Sequence, residues 1–210
     1  MDGDHAPLRE IVELKEKHGA WLMVDEAHAT GLYGANRRGL TEELGVSSHI
    51  EIQMGTLGKA LGASGGYICG SRALIDYLIN RARTFVFSTA PVPAAVAAAT
   101  AGVRFVQSSA GEDRRRKLWQ NVAVLSSTIS HQLSSLSAIP SAIIPIMLGP
   151  ESKAVAAAAA LRERGIFIPA IRYPTVARGL ARLRLTLSAA HTDADLLQLL
   201  TALKSLDFRL

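Results

Sequence analysis

Cysteine is almost absent from the 210 residues. Cys69 stands alone, which excludes an internal disulfide and a metal site built from several thiolates. Long apolar runs are missing too: Asp, Lys, Arg or Gly breaks every stretch before the roughly 20 residues a bilayer crossing needs, so no membrane span is expected. No basic start leads into an apolar segment of the secretory kind, and a soluble protein of a reducing compartment, the cytoplasm, is expected. Aromatics are few, five Phe, four Tyr and two Trp. None is interleaved with the densest basic run, Arg114-Arg115-Arg116-Lys117, so the net charge of +5 does not imply a base-stacking nucleic-acid surface. Glu112 and Asp113 precede that run and make it read as a solvated helix start. Six histidines without a His-Glu-x-x-His pair give little support to a metal centre.

What remains is a globular composition, 49% hydrophobic and 20% charged, long enough to bury a core. Asp4-His5-Ala6-Pro7 reads as a helix start and Gly19 as its stop. The run Trp21-Leu22-Met23-Val24 predicts a strand buried on both faces, ending in Asp25-Glu26-Ala27-His28. Further strands are expected at 50–54 and 66–70, with a helix capped by Ser71 and an alanine-rich helix over 93–107. This alternation predicts an α/β fold with a parallel sheet that presents ligands at the carboxyl ends of its strands. Beyond Ser108 the texture becomes α+β: helices over 112–136 and 151–164, strands over 143–147, 166–168 and 182–187, and a last helix from Thr192. A boundary near residue 108 divides the chain into 1–108 and 109–210.

Several residues are chemically suggestive. Lys59, between Gly58 and Ala60 and flanked by Leu57 and Leu61, is expected to be partly desolvated and available as a nucleophilic amine. A phosphate loop of the nucleotide-binding kind is excluded, because Ala60 replaces its Ser/Thr and Gln53 its first glycine. Asp25, emerging from a buried strand, needs a cation or donor. It and His28 are open to three readings: a mutually satisfied pair, half of a metal site, or the partners of a pyridine nitrogen and a phenolic oxygen on pyridoxal phosphate. The same four letters spell the signature of DEAH-box NTPases. No Ser-Ala-Thr and no Gln-x-x-Gly-Arg-x-Gly-Arg follows, so that reading rests on four letters alone. Thr56, Ser88 and Thr89 are hydroxyls suited to a phosphate, or ordinary loop residues. Arg182 and Arg184 share one face of an alternating strand, where a guanidinium can grip a carboxylate or simply be solvated.

Taken together, Val24-Asp25-Glu26-Ala27-His28-Ala29-Thr30-Gly31, Gly55-Thr56-Leu57-Gly58-Lys59-Ala60-Leu61-Gly62, Phe87-Ser88-Thr89 and the stretch Arg182 to His191 resemble, in family order, the α-oxoamine synthases, pyridoxal-phosphate enzymes of fold type I. The resemblance implies that 1–108 is part of the cofactor-binding large domain and 109–210 the small domain. It implies that Lys59 captures the cofactor's aldehyde and moves protons, that Asp25 pairs with the ring nitrogen and that His28 bonds the phenolic oxygen. Thr56 would touch the phosphate, Ser88 and Thr89 the phosphate of the partner copy in a homodimer, and Arg184 the amino-acid carboxylate. Pro174-Thr175-Val176 and the Arg182 stretch point, within the family, to members that condense L-alanine with a pimeloyl thioester in biotin synthesis. Glycine C-acetyl transfer is the nearest alternative, and an inactive dimerising remnant a further one. Family members are nearly twice as long, so the chain is expected to correspond to a carboxyl-terminal portion that binds the cofactor poorly by itself.

Overall fold

Pro7 lacks an N–H and has φ −73°, a geometry ready for a helix start. Helix α1 (Leu8–His18) follows it directly. The expected cap at Asp4 is not used, since no side chain caps this end. Gly19 ends the helix in the left-handed conformation at φ 61°, which costs glycine little. Leu8 and Val12 are buried. In this computed structural model, residues 1–129 and 139–206 are described. They fall into two units, Ala6–Asp113 and, together, Met1–His5 with Arg114–Leu210.

The first unit is built on a three-stranded sheet in the order β1 (Met23–Asp25), β2 (Ile52–Thr56), β3 (Gly66–Gly70). β1 and β2 are parallel, with Asp25 opposite Met54. Lys15 on α1 meets Glu51 at 2.5 Å, and Glu51 also accepts the Leu22 N–H at 2.8 Å, so α1 is tied to the starts of both strands. The sheet departs from the expected parallel arrangement at β3, which runs antiparallel to β2. The physical reason is the short connection from Leu57 to Gly65, too short for the crossover a parallel neighbour requires. The run expected to be buried on both faces is exposed in this chain: β1 has one neighbour among the described residues, and Trp21 and Met23 are 71% and 50% exposed. Helices α2 (Leu40–Glu43), α3 (Arg72–Arg81), α4 (Arg83–Val86) and α5 (Pro93–Gln107) complete the unit. Ser71 caps α3 by accepting the Leu74 N–H, as its position predicts. None of α3, α4 and α5 buries a residue; Tyr77, Phe85 and Val96 are exposed on them, as is Phe87 just after α4.

Helix α6 (Ser109–Ile129) carries Leu118, Val122 and Leu125 into the core of the second unit. The part of the expected 112–136 helix beyond residue 129 lies outside the described residues. The second sheet is antiparallel in the order β4 (Ile143–Gly149), β6 (Ala181–Thr186), β5 (Ala170–Ile171). α7 (Glu151–Glu163) and α8 (Asp193–Ser205) add Leu161 and Leu203, both almost fully buried, to Ile144, Ile146, Leu183 and Leu185 of the sheet. The strand expected at 166–168 falls instead on Ala170 and Ile171. Pro169 has no N–H to give to a ladder and contributes only its carbonyl, which accepts the Arg184 N–H at 3.1 Å. Thr192 and Asp195 form a complete capping box at the start of α8.

Candidate active site at the carboxyl edge of the first sheet

Because β1 and β2 run in the same direction, their carboxyl ends open on the same edge. Asp25 is the last residue of β1 and pairs with Met54; the Glu26 N–H donates to the Met54 carbonyl at 2.7 Å, carrying the ladder one step further. The chain then turns sharply. Ala29 and Thr30 both donate their N–H groups to the Glu26 carbonyl at 2.8 Å. β2 leaves the sheet at Thr56 and enters the Lys59 loop, closed by Leu57 N–H to Gly65 O at 2.9 Å and Ala63 N–H to Leu57 O at 2.8 Å. The two segments touch. A methyl group added at Gly31 would lie 3.0 Å from the Ala60 Cβ, so the turn after His28 packs against the residue that follows Lys59.

Asp25 is exposed, with Oδ1 accepting the Ala27 N–H at 2.8 Å. His28 is exposed on the same turn. Thr56 Oγ1 is buried and has no hydrogen-bond partner among the described residues. Lys59 is exposed, and so are Gly58 and Ala60, while Leu61 alone of its neighbours is buried. The partial desolvation expected of this lysine is therefore not provided by its flanking residues. Ser88 and Thr89 are exposed after α4, and the Ser88 hydroxyl donates to the Thr84 carbonyl.

Arg182 and Arg184 belong to the second unit and differ sharply. Both alternate with the buried Leu183 and Leu185 on β6. Arg182 is 6% exposed and forms an ion pair with Asp2, with its Nε donating to the Leu180 carbonyl at 3.1 Å. Arg184 Nε is buried with no hydrogen-bond partner among the described residues. An anion therefore has more to gain at Arg184.

Three further residues shape this edge, and of these Tyr67 lies in none of the motifs that the sequence offers. Glu26 is 2% exposed, and its carboxylate accepts the N–H groups of Leu40 at 2.9 Å and Thr41 at 2.8 Å. A carboxylate committed to two backbone donors does not activate water, so the DEAH-box reading loses its base. Tyr67 on β3 reaches Thr30 with its phenol at 2.6 Å. Gly55, opposite Tyr67 in the ladder, leaves room for that ring: a methyl there would lie 2.5 Å from the phenol oxygen. A cavity of about 480 Å³ in the same unit is lined by Trp21, Gln53, Cys69 and Leu74 and by none of the expected site residues. Among the described residues no group of three or more His, Cys, Asp or Glu is placed to hold a metal, and no helix is long and apolar enough to cross a membrane.

A sheet that delivers an acidic turn and a lysine loop to one edge defines an α/β fold with its polar groups gathered at the carboxyl ends of the strands, where ligands of open α/β sheets bind. Residues 1–203 match the aminotransferase class I and II family, and the chain belongs to it. Over 203 residues it is 50% identical to an 8-amino-7-oxononanoate synthase of Anaeromyxobacter dehalogenans, a match covering 97% of this chain and 51% of that protein. Serine palmitoyltransferase from S. paucimobilis, solved with a bound PLP–myriocin aldimine, superimposes with a TM-score of 0.91 at 30% identity, covering 98% of this chain and 52% of that one. The 8-amino-7-oxononanoate synthase of Francisella tularensis gives 0.83 at 28% identity, covering 98% and 59%. The chain spans about half the length of the curated relatives it matches.

Proposed function

We propose that the chain carries the cofactor lysine and part of the active site of an 8-amino-7-oxononanoate synthase, which uses pyridoxal phosphate to condense L-alanine with a pimeloyl thioester and expel CO₂ and the thiol. The carrying observation is that the Asp25–His28 turn and the Lys59 loop leave parallel strands at one edge and touch at Gly31 and Ala60. One ring bridging the two segments needs that juxtaposition. The residues present fit the cofactor on independent grounds, since a buried hydroxyl without a partner stands at Thr56, three residues before Lys59, where a phosphate oxygen would satisfy it.

When bound, pyridoxal phosphate supplies an electron sink for the pair left at the α-carbon of the amino acid. Lys59 would hold the cofactor through its Nζ, and the same amine would carry the α-proton. Asp25 keeps the ring nitrogen protonated by offering a carboxylate, and His28 bonds the phenolic oxygen. Arg184 grips the amino-acid carboxylate, using the Nε that has no other partner. Ser88 and Thr89 serve the phosphate held by a second copy, so the working assembly is a homodimer, and a cytoplasmic one. On this reading 1–108 is part of the cofactor domain and 109–210 the small domain.

Incubation of the chain, complemented with the amino-terminal half of its relatives, with pyridoxal phosphate, followed by borohydride reduction and peptide mapping, tests the first half of the reading. A pyridoxyl group on Lys59 that Lys59→Ala abolishes is the expected result, and labelling elsewhere overturns it. Turnover with alanine, glycine and serine, each against CoA and carrier-protein thioesters, tests the second half. A preference for glycine with an acetyl thioester replaces the assignment.

A further inference from the structure

We infer that Tyr67 is a positioning residue: through Thr30 it holds the turn that presents Asp25 and His28, and so fixes how that turn meets the cofactor. The inference rests on the functional reading above. It starts from a count of protons. The Thr30 hydroxyl has one hydrogen, which it donates to the Glu26 carbonyl at 3.0 Å. The 2.6 Å contact with Tyr67 must then be the phenol donating to Thr30 Oγ1. The resulting relay runs from β3, through two hydroxyls, to a carbonyl that already receives the N–H groups of Ala29 and Thr30.

That carbonyl is the hub of the turn. It belongs to the residue between Asp25 and Ala27, and Ala27 in turn supplies the N–H that orients the Asp25 carboxylate at 2.8 Å. Tyr67 is therefore two hydrogen bonds away from the backbone that aims Asp25. Its ring is fixed from the other side by Gly55, where any side chain would strike it. One side chain thus spans both segments of the site, the turn after β1 and the strand that leads to Lys59. Burial, foremost, pushes the Tyr67 hydroxyl above the usual phenol range; the Thr30 contact opposes it, and nearby Cys69, Glu26 and Asp25 add to it. The phenol accordingly keeps its proton at neutral pH and remains the donor.

Tyr67→Phe removes the relay and keeps the ring. Thr30→Val removes the receiving hydroxyl at constant volume, and Thr30→Ser keeps it. The chain complemented with the amino-terminal half of its relatives and reconstituted with pyridoxal phosphate is measured by absorbance titration and by visible circular dichroism of the bound cofactor. Amide hydrogen exchange over residues 26–31 is followed without cofactor. Tyr67→Phe and Thr30→Val should each weaken cofactor binding roughly three- to tenfold, as loss of one buried hydrogen bond predicts, with a reduced dichroic band and faster exchange at Ala29 and Thr30. The double variant should lose no more than Thr30→Val alone, and Thr30→Ser should stay near the unmodified protein. Unchanged affinity, dichroism and exchange in Tyr67→Phe, or fully additive losses in the double variant, overturn the positioning role alone. Failure of the chain complemented with the amino-terminal half of its relatives to take up the cofactor at Lys59 overturns the functional reading, and the positioning role falls with it.

Discussion

Replacing Glu26 by Gln tests how the edge of the first sheet is built. The carboxylate is 2% exposed and accepts two N–H groups, from Leu40 and Thr41, at the start of α2. Gly39 crosses so closely that a methyl there would sit 2.6 Å from the Glu26 Cδ. Glutamine has one acceptor oxygen for the two donors, and its NH₂ must face the other N–H. Losing one charge-assisted bond at a buried site costs about 1.5–3 kcal/mol. Glu26→Ala leaves both donors unpaired and opens a void, for about 3–5 kcal/mol. Against a total stability of roughly 5–15 kcal/mol, the glutamine variant should melt roughly 3–12 °C lower. Thermal unfolding by far-UV circular dichroism measures this, and amide exchange at Leu40 and Thr41 localises it. A glutamine variant within about 0.5 kcal/mol of the parent, with unchanged exchange at those amides, refutes the assignment, because a buried carboxylate stripped of one donor cannot be that cheap.

Two further perturbations probe strain and capping. Arg37 is a non-glycine residue at φ 62°, yet its guanidinium meets Glu112 at 2.8 Å and the Gln107 carbonyl at 3.0 Å. Relief of about 1 kcal/mol of backbone strain in Arg37→Gly is outweighed by the lost charge-assisted bonds, about 1.5–3 kcal/mol, so urea unfolding should show a net loss, and a stabilised variant contradicts this weighing. At α8, Thr192→Ala should cost about 1 kcal/mol, while the backbone and hydroxyl of Thr192 hold the Asp195 carboxyl below its ordinary range. A depressed folded value means the contribution is present above the unfolded carboxylate range and disappears as pH falls through the folded one, so Asp195→Asn should flatten the acid limb of the stability–pH curve; an unchanged limb removes Asp195 from it.

Much of the architecture was legible because local rules decide it. Gly19 stops α1, Ser71 caps α3, and Thr192 with Asp195 opens α8, each by backbone chemistry within a few residues. Strand direction was not legible to the same degree. Gly66–Gly70 reads as a strand, but its antiparallel pairing follows from loop length rather than composition. Burial was the least legible property. The apolar run at Trp21–Met23 reads as a core strand; in a chain that spans about half the length of its relatives, β1 has a single neighbour among the described residues, and Trp21 and Met23 are exposed. Lys59 shows the same limit. Its apolar neighbours in sequence do not surround it in space, since Gly58 and Ala60 are exposed with it.

Which side chains do chemistry is decided by what their neighbours already consume. In Asp25-Glu26-Ala27-His28 the outer pair is exposed and the inner pair buried. The turn sends one carboxylate outward with an oxygen to offer and the next inward onto two backbone donors. Four letters cannot distinguish a water-activating acid from a structural one; the geometry of the Leu40 and Thr41 amides does. Arg182 and Arg184 repeat the lesson on β6. Pattern places them on the same face, but Asp2 occupies Arg182 while Arg184 keeps a buried Nε without a partner. A buried donor that lacks an acceptor is costly unless a ligand brings one, so an amino-acid carboxylate should be felt at Arg184 and not at Arg182.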